Sequence, residues 1–285
     1  MQTILKSETR EVKIDTEGPV VVIGETINPT GNKKLAAALR EGNLQYVEDL
    51  AAVQVAAGAD VLDVNAGASG VDEVALLPQV VKAVLSRVSL PLCLDSANPA
   101  ALAAALDVTP GKPLVNSVKG EEASLQTVLP IVKDRGAAVI GLTLDDDGIP
   151  STPERRLAVA AKIVERAASL GIPTEDIVID PLVLTIGADS NAGLVTLRAI
   201  ELIRRELGVN IVLGASNVSF GLPDRQTINQ AFLALAISAG ASCLLTDPVK
   251  LTATIRAVDL LRGRDSYARR YITNYRARSK ANERA

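Results

Sequence analysis

The chain has 285 residues and a net charge of −3, is 48% hydrophobic and 22% charged, and contains no histidine, no tryptophan and two cysteines. Without histidine there is no Ser-His-Asp or Cys-His pair, no HExxH helix and no imidazole for zinc, haem or cobalt, so an acid or base must be a carboxylate, lysine, tyrosine, cysteine or water. No apolar run reaches the roughly 20 residues of a membrane span, the N-terminus lacks a signal-peptide stretch and two cysteines make no disulfide framework, so the expectation is a cytoplasmic protein with no membrane and no nucleic-acid partner.

In chain order, residues 1–19 form an N-terminal extension, after which short β-rich apolar runs alternate with helical stretches. The predicted strands cover 20–27, 61–66, 91–95, 113–117, 137–144, 177–181, 210–217 and 243–247. Between them, 72–87, 154–170 and 229–239 show helical periodicity and high Ala/Leu content. Gly58, Gly136, Gly171, Gly208 and Gly240 fall near helix ends, where a left-handed terminal residue is needed and the next strand follows closely. Eight strand–helix units with continuous apolar strands predict an α/β fold, a (β/α)8 TIM barrel over 20–262. The competing doubly wound sheet would have fewer strands and a Gly-rich fingerprint after the first. Here the first strand runs into Gly24-Glu-Thr-Ile-Asn-Pro-Thr-Gly-Asn, which is neither GxGxxG nor GxxxxGK[ST]. Cys93 and Cys243 lie in apolar runs and read as reduced core residues.

Residues 263–285 are a basic tail. From 264 onward seven Lys/Arg stand against two acids, a charge of +5 that leaves −8 for the rest. Tyr267, Tyr271 and Tyr275, spaced by four, mark one helical face. A nucleic-acid reading would set the arginines on phosphate and stack the rings on bases. The expectation is instead a terminal helix that docks its tyrosine stripe on the body or on another subunit, with its arginines solvated.

The C-terminal strand ends of a barrel face its active site. In order they carry Glu25 and Asn28, Asp63 and Asn65, Asp95, Asn116, Thr143 and Asp145, Asp180, Asn217, and Asp247. Asp63 and Asn65, two apart, share one strand face. Any one of these residues could be an N-cap or turn residue, but Asp95 and Asp180 each follow three apolar strand residues and look inward. Inward carboxylates without inward Lys or Arg need donors, from a hard cation such as Mg²⁺ or Ca²⁺ or from a ligand rich in N–H groups. The admixture of Asn favours the ligand. A fused heterocycle with a 2-amino-4-oxo face offers an Asp its ring N–H and exocyclic amine together, while an Asn donates and accepts beside it. A metal site stays open as the alternative. The acidic run Asp145-Asp-Asp-Gly lacks EF-hand spacing and reads as a solvated loop.

Several segments resemble the pterin-binding barrel family, and most of all its methyltetrahydrofolate:corrinoid methyltransferases. They are Ile23-Gly-Glu-Thr-Ile-Asn, Leu62-Asp-Val-Asn-Ala-Gly, Leu92-Cys-Leu-Asp-Ser, Val115-Asn-Ser, Gly141-Leu-Thr, Ile179-Asp-Pro-Leu, Leu213-Gly-Ala-Ser-Asn-Val-Ser and Ile228-Asn-Gln-Ala-Phe-Leu. They run in order from about 20 to 260, and only the set together is specific. The resemblance implies a dihydropteroate synthase-like barrel in which Asp95, Asn116 and Asp180 hold the pterin and Asp180 takes the N–H and 2-amino edge. Asp63 and Asn65 would support that pocket, Ser96 and Ser219 would add contacts, and Arg225 would meet the folate tail or the partner unless it is a solvated loop arginine. Asn217 would hydrogen-bond near N5, the nitrogen that carries the methyl group.

The implied activity is transfer of a methyl group between N5 of tetrahydrofolate (as 5-methyltetrahydrofolate) and the cobalt of a corrinoid carried by a separate protein. A methyl group on a tertiary amine is a poor electrophile unless N5 is protonated or hydrogen-bonded, so a donor placed there acts on charge that develops in the transition state. An amide cannot give up a proton; Asn217 would hold the protonated form while water or another group supplies it. The absent histidine agrees with a corrinoid that belongs to the partner. The family also implies a homodimer. Two alternatives are a pterin-binding module without turnover and dihydropteroate synthase itself. The synthase is disfavoured because its Arg-Pro-containing loop after strand two, its Ser-Arg-Lys run after strand seven and its C-terminal Arg-x-His are all missing here.

Overall fold

The computed structural model describes residues 1–282, so the last three residues of the expected tail lie outside it. Two short strands, β1 (Gln2–Lys6) and β2 (Glu11–Asp15), pair as an antiparallel hairpin. The barrel strands are β3 (Val21–Ile27), β4 (Val61–Asn65), β5 (Leu92–Asp95), β6 (Leu114–Lys119), β7 (Ala138–Leu142), β8 (Ile177–Asp180), β9 (Asn210–Gly214) and β10 (Cys243–Thr246). They are parallel neighbours in chain order, and β10 closes the ring on β3. Helices α1 (Lys33–Glu41) and α2 (Leu44–Ala56) follow β3. After the next strands come α3 (Glu73–Arg87), α4 (Pro99–Val108), α5 (Glu122–Arg135), α6 (Pro153–Ser169), α7 (Ala192–Leu207), α8 (Arg225–Ala239) and α9 (Pro248–Leu261), and last α10 (Arg269–Asn282).

The (β/α)8 barrel is therefore present with all eight predicted strands, and the five helix-ending glycines all have positive φ. At Gly136 the left-handed turn lets its N–H close on the carbonyls of the last turn of α5. Several predicted strands ran too long, among them 137–144, where β7 stops at Leu142. Residues 215–219 form a 3₁₀ turn, so Asn217 sits beyond the end of β9, and Asp247 caps α9 through its Oδ1 to the Val249 N–H at 3.0 Å.

Strand alternation sorts the side chains into two layers. Leu62, Val64, Leu92, Leu94, Val115, Ile177 and Ile179 face outward into the continuous core beneath the helices. The opposite faces point into the barrel, where Ile23, Val61, Cys93, Leu114, Val178, Val212 and Cys243 fill the lower interior. Two residues further along four of those strands, the same face carries Asp63, Asp95, Asn116 and Asp180. An apolar base under a polar mouth thus follows from a period of two.

The hairpin was not expected. It plugs the lower end of the barrel by adding Leu5 and Ile14, both fully buried, to the interior cluster. Asn210, at the base of β9, donates to Thr3 Oγ1 and to the Ile14 carbonyl, both at 2.9 Å. Lys6 and Lys112 exchange backbone hydrogen bonds, and Gly111 (φ +81°) lies so near the Lys6 and Ser7 carbonyls that a Cβ would collide with them.

The tail docks through a different face from the one the spacing suggested. Tyr267 precedes α10 with φ 57°, and Tyr267 and Tyr275 are 88% and 57% exposed. The docking groups are polar. Arg270 and the buried Arg256 both bind Asp60, at 3.1 and 2.8 Å, and Asn274 donates to the Ala57 carbonyl at 3.2 Å. The tyrosine stripe is therefore not what holds α10 to the body, and Arg270 is not a solvated arginine.

Candidate active site

Asp63 lies lowest in the mouth and is fully buried. Its Oδ1 accepts from Asn116 Nδ2 at 3.3 Å, and its Oδ2 has no partner among the described residues. Burial, with the Asp95 charge second, pushes its carboxyl well above the usual carboxylate range. Asp95 stands at the neighbouring strand end, also raised by burial. Its Oδ2 accepts from Asn65 Nδ2 at 2.9 Å and from Asn28 Nδ2 at 3.4 Å. Both amides are aimed by the backbone, since Asn65 Oδ1 takes the Gly67 N–H (2.7 Å) and Asn28 Oδ1 takes the Thr30 N–H (2.9 Å). Their Nδ2 groups therefore turn to Asp95 without a choice of flip.

Asp180, at the end of β8, accepts the Leu182 N–H at 2.7 Å. Burial lifts its carboxyl to about 7, against the lowering effects of the Leu182 and Gly214 N–H groups and the Arg156 guanidinium. The loop after β8 is tied to the turn after β9: Ile186 N–H bonds the Val218 carbonyl (3.0 Å) and Thr185 Oγ1 the Phe220 carbonyl (2.7 Å). Asn217, on that turn, is exposed. It lines a cavity of about 660 Å³ together with Glu25, Asn28, Arg225, Asp247 and Lys250. Glu25 is raised by burial and accepts from Ser216 Oγ at 2.8 Å. A second cavity of about 400 Å³ is lined by Asp95, Ser96, Asn116 and Lys119 among others. Both volumes fall within the range of small-molecule sites.

The structure thus sets two hydrogen-bonded pairs side by side on neighbouring strand ends, Asp63 with Asn116 and Asp95 with Asn65, with Asp180 on the same interior face and Asn217 and Arg225 at the rim. Other expected contacts are engaged elsewhere. The Ser96 hydroxyl donates to Glu73 Oε1 at 2.6 Å and accepts the Asn98 N–H. Ser219 is fully buried and accepts from Arg225 Nε at 3.0 Å, while Arg225 Nη2 holds the Ser216 carbonyl at 2.7 Å and the guanidinium lies 5.8 Å from the Phe220 ring. These two serines brace loops, and Arg225 is a clamped rim residue. Asp145 pairs with Gly148 in a turn, and Asp147 pairs with Arg155. Among the described residues no three Asp, Glu or Cys side chains converge as metal ligands.

Sequence reasoning missed Lys119 and Lys250 at the cavities, Glu73 behind Ser96, and Arg156 behind Asp180. Lys119 is the last residue of β6 and Lys250 lies in the first turn of α9. Glu73 and Arg156 sit on helices, and nothing local marks them.

Residues 24–247 match the family model described as pterin binding enzyme. The chain belongs to the pterin-binding enzymes. It is 32% identical over 265 residues to a methylcorrinoid:tetrahydrofolate methyltransferase of Eubacterium limosum, covering 90% of this chain and 96% of that one. It is also 32% identical over 248 residues to the methionine synthase of Mycobacterium tuberculosis, where it spans only 21% of the larger protein. Among solved structures, the dihydropteroate synthase of Yersinia pestis with a pterine-sulfa conjugate superposes with a TM-score of 0.71 at 19% identity, covering 92% of this chain and 99% of that one. A synthase from Xanthomonas albilineans in complex with 7,8-dihydropteroate gives 0.66 at 20% identity, covering 91% and 98%. At such identity these two show the shared barrel and nothing finer.

Proposed function

We propose that this enzyme moves a methyl group between N5 of tetrahydrofolate and the cobalt of a corrinoid carried by a separate protein. The observation that carries the reading is the match to a methylcorrinoid:tetrahydrofolate methyltransferase along nearly the whole of both chains. The polar mouth supports it: acids and amides rich in acceptors for a pterin, open to a cavity with an exposed amide at its edge.

In this reading Asp180, Asp95 and Asn116 hold the pterin, Asp180 accepting the ring N–H and 2-amino group. Asn65 and Asn28 fix Asp95, and Asp63 fixes Asn116. Ser96 and Ser219 act through the loops they brace, and Arg225 stands where the folate tail or the partner enters. Asn217 hydrogen-bonds the protonated N5, so that when Co(I) of the corrinoid takes the methyl carbon, the N5–C bond pair stays on nitrogen with its charge already offset. Holding N5 in its protonated form acts on the charge that shifts in the transition state and so accelerates the step more than it tightens binding. In the reverse direction N5 is the nucleophile: it attacks the methyl carbon, the Co–C bond pair returns to cobalt as Co(I), and the N5 proton leaves to water while Asn217 holds N5–H through a hydrogen bond. A cytoplasmic homodimer completes the proposal. Fully buried Cys93 and Cys243 are in keeping with a reducing compartment, and exposed Leu261, Tyr267 and Tyr275 offer a surface for a second copy. Among the described residues no helix is long and apolar enough to cross a membrane.

The test is purified protein mixed with methyltetrahydrofolate and photoreduced cobalamin in one cuvette. The spectrum should pass from Co(I) to methyl-Co(III) at a rate proportional to enzyme. Binding of methyltetrahydrofolate without that change would reduce the protein to a pterin-binding module, and absence of binding would remove the pterin reading.

A further inference from the structure

Arg156 is a buried cation in an unfavourable place. It lies in the first turn of α6, where the helix dipole disfavours positive charge, and it is 1% exposed. Among the described residues it also has no salt bridge. Its hydrogen bonds all go to neutral oxygens: Nε to the Pro150 carbonyl (3.0 Å), and Nη1 to the carbonyls of Pro181 (2.9 Å) and Leu182 (2.8 Å) and to Thr196 Oγ1 (3.2 Å). A guanidinium taken out of water without an anion bonded to it needs a compensating charge nearby. The carboxylate whose charge bears on it is that of Asp180.

The same contacts shape the backbone that Asp180 leans on. Leu182 has φ 66°, a left-handed conformation that a residue with a branched side chain adopts only when its surroundings hold it. Arg156 grips the carbonyls on both sides of that twist, and Thr196 donates to the Leu182 carbonyl from α7 at 3.0 Å. The twist brings the Leu182 N–H onto Asp180 Oδ1.

We infer that Arg156 is a positioning residue for the pterin: from behind the barrel wall it fixes the Pro181–Leu182 turn and, through it, the aim and charge of the Asp180 carboxylate. The inference rests on the proposed role of Asp180 as partner of the N–H and 2-amino edge. Those donors need an ionised acceptor, and the barrel interior by itself favours the neutral acid. The groups that face Asp180 are few. They are Arg156 from α6, the Leu182 N–H, the Gly214 N–H from β9, the Cys243 thiol of β10 and the apolar Leu142 paired with it on β7. Among the described residues Arg156 is the one cation in that set.

The test uses Arg156→Gln, Arg156→Lys and Thr196→Val, each first checked for native circular dichroism. The Asp180 carboxyl is titrated by ¹³C NMR in ligand-free protein, and methyltetrahydrofolate affinity is measured by calorimetry against pH. Loss of the charge in Arg156→Gln should raise the proton affinity of Asp180 about tenfold or more, and the pH at which ligand affinity falls should rise with it. Arg156→Lys keeps the charge and loses the fork, so the titration stays near that of the wild type while affinity drops about tenfold at every pH. Thr196→Val removes the hydroxyl's bond to the Leu182 carbonyl and one acceptor of Arg156 but leaves the charge in place, so it should weaken binding without moving the pH profile, which keeps a result in hand if Arg156→Gln does not fold. An unchanged Asp180 titration in Arg156→Gln, or an equal loss of affinity at all pH values in that variant, would overturn the inference. Wild-type protein that fails to bind methyltetrahydrofolate would instead overturn the proposed role of Asp180, because the titration needs no ligand.

Discussion

Replacing Asp180 by Asn separates what this carboxyl does for the ligand from what it does to the fold. Its folded value is about 7 against an ordinary 3.8. A raised carboxyl keeps its proton in the folded state while the unfolded chain has already ionised. Folding therefore loses stability as pH climbs from about 4, by about 1.4 kcal/mol per pH unit, and the loss is complete near pH 7. The gap amounts to at most about 4 kcal/mol, and the water contact of a partly exposed side chain brings the expected value nearer about 2 kcal/mol. Asp180→Asn lacks this titration. In urea unfolding it should match the wild type near pH 4.5 and exceed it by about 2 kcal/mol near pH 8. Affinity should move the other way. Two N–H donors lose a charged acceptor at about 1.5 kcal/mol each, which raises the Kd for methyltetrahydrofolate about a hundredfold. A stability difference that stays the same from acid to base would refute the argument from burial, and unchanged affinity would take Asp180 out of the site.

Other perturbations reach different parts of the molecule. Asn217→Ala should slow methyl transfer to cob(I)alamin about a hundredfold while methyltetrahydrofolate affinity stays within about threefold; equal losses in both would make Asn217 a binding residue only. Ser96→Ala, whose hydroxyl is held by Glu73, should cost about 1 kcal/mol in chemical denaturation and leave calorimetric affinity within about twofold. Leu5→Ala opens a hole at the base of the barrel and should cost about 3 kcal/mol, read as a lowered urea midpoint with an unchanged slope.

The barrel was legible because its strands are buried on both faces and bounded by turn residues. The interior acids and amides stood out against runs such as Leu92-Cys-Leu and Ile177-Val-Ile. The errors have physical causes. Polar residues just past a strand blur where it ends: Asn217 belongs to a 3₁₀ turn and Asp247 caps a helix, though both line the larger cavity. The hairpin hid because each five-residue strand buries few side chains, mainly Leu5 and Ile14, among charged neighbours that stay in water. Spacing by four named one helical face at the tail, yet the anchor was the acid Asp60 on the body, which selects Arg270 over any tyrosine. In the candidate site, strand-end residues announced themselves by position. Arg156 and Glu73 did not, because they act across helices through carbonyls and a serine, and such contacts leave no local pattern.

The bridge between the loops after β8 and β9 has a mechanical consequence. Thr185 and Ile186 pin one loop to Phe220 and Val218 of the other, so the pair forms a lip that cannot hinge one half at a time. In the proposed reaction, one half of that lip follows the carboxylate that grips the ring and the other bears the amide that meets N5. Their spacing is then preserved while a bulky partner approaches and leaves. Movement to admit that partner then falls to loops outside the lip, such as the short turn before α1, which lines the same cavity as Asn217.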